Sequence, residues 1–137
     1  MKKKYVVFLI LFLIVALCSF VSYHYTSPKA QDIDYPDYNQ VETINVYNAG
    51  KIINLSEEDC EILYRYICEA VPTRSQSVHE TPYTDSCSES YYSVMFNEKF
   101  IVSYGYIYKN KGKVFWEVPY LGVYKLDKEA LELLENY

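Results

Sequence analysis

The sequence predicts an α+β domain behind one apolar N-terminal helix: an antiparallel sheet with two helices on one face, in the order ββαβββ(β)α. Three observations predict it. An uncharged run follows three N-terminal lysines, alternating apolar residues flank short Asn- and Gly-containing turns, and two segments show helical spacing.

The leader comes first. Lys2 to Lys4 precede an apolar stretch from Tyr5 to Tyr23, interrupted only by Ser19 and Ser22. As a helix, 19 residues rise ~28 Å, close to the hydrocarbon thickness of a bilayer. Residues 1–23 are therefore expected to act as a signal anchor or uncleaved signal peptide, with the lysines cytoplasmic and the C-terminal part outside. Cleavage signals are poor. Ala16-Leu17-Cys18 is the best small-x-small triplet, and cuts after Ser22 or Ala30 place Phe20 or Pro28 at the third position back. Val15-Ala16-Leu17-Cys18 is similar to a bacterial lipobox, but Leu17 stands where Gly or Ala is wanted. Secretion after signal cleavage and lipoprotein processing stay as alternatives, and both also export the domain.

Residues 24–40 mix Ser, Pro, Asp, Gln and Tyr without periodicity and are expected to form an extended stalk. The extracytoplasmic domain is then expected over residues 41–137. Val41 to Tyr47 and Ile52 to Leu55 flank a tight-turn signal, Asn48-Ala49-Gly50-Lys51, as a hairpin. Ser56 before Glu57, Glu58 and Asp59 signals a helix start, since a capping hydroxyl and acids suit the positive helix end. That helix is expected to run to about Val71, before Pro72. Its apolar stripe is Cys60, Leu63, Ile67 and Val71, with Tyr66 and Ala70.

A polar loop from Pro72 to Glu89 follows. A tyrosine-rich meander comes next, with strands at about Ser90–Phe96, Phe100–Lys109, Lys113–Val118 and Tyr120–Leu126. Asp127 is expected to cap a last helix whose apolar side is Ala130, Leu131 and Leu134. Alternation places Phe100, Val102, Tyr104, Tyr106 and Tyr108 on one sheet face, and sets Val114, Trp116 and Val118 against Phe115 and Glu117.

Charge narrows the partners. The leader carries three of the thirteen basic residues and none of the eighteen acids, so the remainder holds ten basic against eighteen acidic residues, a balance of −8. Nucleic acid and anionic lipid surfaces need basic patches, which argues against both as partners of the domain. Seventeen tyrosines suit half-exposed sheet faces and interfaces, because the ring buries area while the hydroxyl keeps a polar contact.

Cys60, Cys68 and Cys87 lie outside the leader, and export permits a disulfide. Cys60 and Cys68 are eight residues apart on one predicted helix, ~12 Å along its axis, beyond disulfide reach. Cys68 with Cys87 is the favoured pairing; three unpaired thiols are the alternative.

Catalytic, cofactor and metal motifs are not found. His79, Glu80, Asp85 and Cys87 form the one donor-rich cluster, but their spacing matches no standard zinc pattern. Ser75 or Ser77 with His79 and Asp85 supplies the atoms of a triad at spacings that rarely hold its geometry. No two carboxylates are singled out for glycoside hydrolysis. Four glycines in the whole chain leave no phosphate-cradling loop.

Two segments carry a resemblance: Pro72-Thr73 with Ser77-Val78-His79-Glu80-Thr81-Pro82, and Glu117-Val118-Pro119-Tyr120-Leu121-Gly122-Val123-Tyr124. They are similar to S-V-x-[DE]-x-P and E-x-P-Y-x-G-[IV]-Y in a small exported or membrane-anchored domain family of unknown function from Firmicutes. The resemblance covers about Val71 to Tyr124. It implies a membrane-tethered or secreted bacterial domain and supplies no activity. From the residues alone, Pro82 and Pro119 limit strand pairing, and Gly122 suggests a bulge or a close backbone approach.

The functional expectation is a non-catalytic extracytoplasmic module, anchored through residues 5–23, that binds a protein or cell-envelope component. The surface expected to bind is the sheet face with Tyr104, Tyr106 and Tyr108, together with Trp116 and Tyr120. One alternative is an accessory regulator or inhibitor of a membrane enzyme or sensor, acting through the Pro72–Glu89 loop. A second alternative is a small envelope hydrolase.

Overall fold

Strand alternation decides which face of the sheet collects the core, and hairpin turns decide which strands are neighbours. The computed structural model describes residues 2–26, 29–82, 91–98 and 102–137. Its apolar helix α1 (Lys2–Thr26) contains the run Tyr5–Tyr23, which is long and apolar enough to cross a membrane or serve as a signal sequence. The domain follows as β1 (Val41–Asn48), β2 (Lys51–Ile53), α2 (Glu57–Cys68), β3 (Val71–Pro72), β4 (Tyr92–Glu98), β5 (Val102–Asn110), β6 (Lys113–Val118), β7 (Gly122–Leu126) and α3 (Lys128–Glu135). All pairings are antiparallel, in the order β2-β1-β4-β5-β6-β7-β3.

Local signals explain most elements. Ala49–Gly50 and Lys111–Gly112 each place two successive residues at positive φ, the primed turn geometry that matches strand twist. Ser56 Oγ accepts from Asp59 N at 3.1 Å and caps α2. Asp127 occupies the cap position of α3, but its side chain makes no capping bond.

Two expectations are corrected. The first helix ends at Cys68 instead of running to about Val71, because Val71 and Pro72 leave it to pair with Lys125 and Tyr124 at the sheet edge. Val71 is consequently exposed, while Leu63, Tyr64 and Ile67 carry the buried stripe. An edge position suits Pro72, which has no N–H to give a further strand.

The stalk is the larger correction. From residue 29 onward the expected stalk is a strap folded onto the domain. Ala30 N donates to Thr73 O (2.9 Å) and Gln31 N to Leu121 O (3.1 Å). Ala30 is buried, and Ile33, Tyr35 and Tyr38 pack against the core. The domain therefore begins near residue 29 instead of at Val41.

Both helices and the strap cover the same face. Leu63, Tyr64 and Ile67 of α2 meet Val94 and Phe96 of β4, Ile107 of β5, Val114 and Trp116 of β6, and Ala130, Leu131 and Leu134 of α3. Each large apolar side chain buried there contributes roughly 1.5–3 kcal/mol. Rings form a chain through this core: Tyr38 to Tyr64 (5.7 Å between centroids), Tyr64 to Phe96 (5.3 Å) and Phe96 to Trp116 (6.0 Å).

Tyrosine abundance has a structural use here. Tyr64 donates to Pro36 O (2.8 Å), Tyr124 donates to Gln31 O, and Tyr35 accepts from Trp116 Nε1 (2.8 Å). The rings fill the core and the hydroxyls hold the strap. Burial is the largest cause raising the phenols of Tyr35, Tyr64, Tyr106 and Tyr124 above their ordinary value. The unfolded chain releases such protons near pH 10, whereas the folded chain keeps them, so stability present below about pH 10 is lost as pH rises beyond it. Alkaline titration should show tyrosinate absorbance from these residues appearing together with loss of tertiary structure. Smooth ionisation of every phenol near its ordinary value, with the fold intact, would contradict the assignment.

Candidate functional site

The face of the sheet opposite the helices begins as a row of side chains: Tyr106 on β5, Glu117 on β6 and Val123 on β7 are register partners, and Tyr108 and Phe115 pair in the next row. After β3 the chain continues along the sheet edge, with Thr73 N donating to Val123 O (3.0 Å) and Val123 N to Ser75 O (3.1 Å). It then crosses onto this face. Ser77 Oγ donates to Glu117 Oε1 at 2.7 Å, and Tyr108 OH donates to Glu117 Oε2 at 2.9 Å. Glu117 is only 6 % exposed, and Ser77 and Tyr108 are buried with it.

A carboxyl inside a protein needs partners on both oxygens, and here two hydroxyls supply them. Among the described residues no buried side-chain polar atom lacks a hydrogen bond. The Ser77–Glu117–Tyr108 cluster thus pins the loop to the sheet. Beside it opens a cleft of about 340 Å³, lined by Ser75, Gln76, Val78, His79, Tyr108, Asn110, Phe115, Glu117 and Val123. Two amides, an imidazole and an aromatic face converge there on a fixed carboxyl.

The five residues expected to form one surface are not brought together. Trp116 is 1 % exposed and lies on the helix face, the register partner of Ile107 and Tyr124. Strand alternation sets it opposite to Tyr104, Tyr106 and Tyr108. Tyr106 and Tyr108 are buried, Tyr104 is exposed beside Tyr106, and Tyr120 is exposed on the β6–β7 turn. The loop after β3 covers what two helices leave bare.

From the donor-rich cluster, His79 joins the cleft near Glu117, while Asp85 and Cys87 lie outside the described residues. The Cys68–Cys87 pairing lies outside them at its Cys87 end; Cys68 ends α2 in an exposed position. Among the described residues, no three His, Cys, Asp or Glu gather as a metal-binding group. In the sequence Glu117 stands out only as part of a motif and by its strand parity. A carboxylate set in the apolar strand Val114–Val118 was the signal for a buried polar site.

Both segments of the motif pair contribute to this cluster, Ser77 from the loop and Glu117 from β6. A family model, DUF5301, described as a domain of unknown function (DUF5300), matches residues 29–125. The chain belongs to this DUF5301 family. The DUF5301 match begins at the strap, in agreement with the strap's packing onto the sheet, and spans the loop and the cleft-forming residues of β5, β6 and β7. No curated protein and no solved structure matches the chain.

Proposed function

We propose that this DUF5301 chain is a membrane-anchored extracytoplasmic binding module of a bacterial envelope, held by α1 and engaging its ligand at the cleft beside Glu117. The cleft carries the reading. Its floor is fixed by two hydroxyl-to-carboxyl bonds, and Gln76, His79, Asn110 and Phe115 line it with hydrogen-bonding groups and one aromatic face. Such a lining suits a protein segment or an envelope component rich in amide or hydroxyl groups. Both Glu117 oxygens are engaged by the protein, which supports holding a ligand over transforming one. Lys2 to Lys4 support a cytoplasmic N-terminus and an external domain.

Photo-crosslinking in the native envelope tests this. A photoreactive residue at Gln76 or Asn110 should give a discrete adduct that Phe115→Ala abolishes, while the same residue at Ile52, at the far end of the sheet, should not. Equal labelling at all three positions would overturn the reading. Turnover of an envelope polymer that His79→Ala abolishes would replace it with the hydrolase alternative. The regulator alternative uses the same loop, and is favoured if the captured partner is a membrane enzyme or sensor whose activity changes when that loop is shortened.

A further inference from the structure

We propose that the folded domain sits directly on the membrane that holds α1, seated through the β6–β7 turn in the lipid headgroup layer. The proposal rests on α1 being retained as the anchor, and adds to it an orientation and a second membrane contact.

Chain length sets the first constraint. The apolar span ends at Tyr23 and the helix at Thr26, yet Ala30 is already buried in the domain. Three helical residues rise ~4.5 Å, and the four steps from Thr26 to Ala30 cover at most ~14 Å when fully extended. Against a headgroup layer of roughly 5–8 Å on each side, the strap is tethered close to the bilayer surface. The Arg74 guanidinium donates to Tyr23 O at 3.4 Å, which brings the start of the β3 loop to the same end of the span.

The strap's first residues are fastened to one turn in particular. Gln31 N donates to Leu121 O, and Ala30 packs so tightly on Gly122 that a Cβ there would lie 2.6 Å from Ala30 Cα. Whatever the membrane holds through Ala30, it holds through this turn.

The turn exposes what a headgroup layer accepts. Tyr120 is 60 % exposed, Leu121 36 % and Val78 60 %, and all three line one cleft with Lys29. Tyrosine rings concentrate at membrane–water interfaces, and basic side chains there reach the phosphates. Tyr120 also holds φ at +63°. In a turn closed by Leu121 N donating to Val118 O, with Pro119 ahead of it, that position favours glycine or asparagine. A bulky residue there is strained, yet it stands on the exposed turn in place of the glycine or asparagine the position favours. The −8 balance keeps the rest of the domain off an anionic surface, so the contact is confined to this patch. Gln76 and Val78 border both this patch and the Glu117 cleft, so a seated domain presents its cleft beside the lipid surface.

Fluorescence of the full-length chain tests the seat. The chain is reconstituted in phosphatidylcholine vesicles with a minor share of phosphatidylglycerol, with or without lipids brominated near the headgroup end of the acyl chains. Native Trp116 is buried and provides the baseline. Tyr120→Trp and Leu121→Trp should each lose most of their added emission with brominated lipid, as should Val21→Trp near the outer end of the span. Ile52→Trp should lose none. If positions 120 and 121 behave like Ile52 while Val21→Trp is quenched, the anchor stands and the seat is wrong. If Val21→Trp is also unquenched, both readings fall. Should either turn variant lose its native circular dichroism, Val78→Trp reports on the same patch.

Discussion

Replacing Trp116 by alanine is expected to destabilise the domain by about 3–5 kcal/mol, the range for deleting a fully buried large ring. That is much of the roughly 5–15 kcal/mol that holds a typical domain together. The indole packs against Phe96 at 6.0 Å and occupies the space that a side chain on Gly105 would take. Its Nε1 donates to Tyr35 OH at 2.8 Å, so the truncation opens a cavity and takes a partner from the hydroxyl holding the strap. Trp116→Phe keeps a ring, loses that bond and should cost less. Urea unfolding measures both, with a lowered midpoint and an unchanged slope as the signature of lost stability. A Trp116→Ala midpoint close to wild type would show that the core is centred elsewhere.

Gly122→Ala is expected to be the next most damaging change, at roughly 2–5 kcal/mol from backbone strain and overpacking together. Gly122 holds φ at +148°, which side chains other than glycine's rarely tolerate. Its added Cβ would also strike Ala30, so the strap must lift. Hydrogen exchange should therefore rise first at the amides of Ala30, Gln31 and Thr73, ahead of Ile107 in the sheet centre. Combining it with Ala30→Gly removes the contact with Ala30 Cβ but leaves the 2.6 Å approach to Ala30 Cα and the strained φ, so it should restore little of the stability. Destabilisation with the strap amides still protected would disprove the mechanism.

Signals confined to a few residues were legible in the sequence. The apolar leader, the Ser56 cap, the turns at Ala49–Gly50 and Lys111–Gly112 and the parity of β5 and β6 each depend on neighbours within one turn or one strand, and each stands in the structure. The strap was not legible. Its Pro, Asp and Tyr content is that of a linker, and what binds it comes from far along the chain: Thr73 O, Leu121 O, and the rings of Tyr64, Trp116 and Tyr124. The end of α2 was misplaced for a related reason. Pro72 marks a boundary, but pairing with β7 draws the chain out of the helix before it.

The candidate site divides in the same way. Parity placed Tyr106, Tyr108 and Glu117 correctly on strand faces, and grouping Trp116 with the tyrosines crossed that parity. Sequence spacing gave no sign that Ser77 reaches across to Glu117, forty residues later. The loop's exposed polar composition suggested a free surface, whereas two of its residues, Ser77 and Pro82, turn inward. Cleft-forming contacts are long-range, and composition does not record them.

The strap also fixes how a mechanical load enters the domain. Tension between α1 and anything held by the sheet arrives at Ala30 before any strand. The Ala30–Thr73 and Gln31–Leu121 bonds are met one after another, so they are loaded in sequence and not together. The Tyr124–Gln31 and Trp116–Tyr35 bonds are the next ties in line. Because the strap is fastened by separate bonds along its length, it is expected to act as a fuse, giving up slack before the strands it is bonded to part from one another.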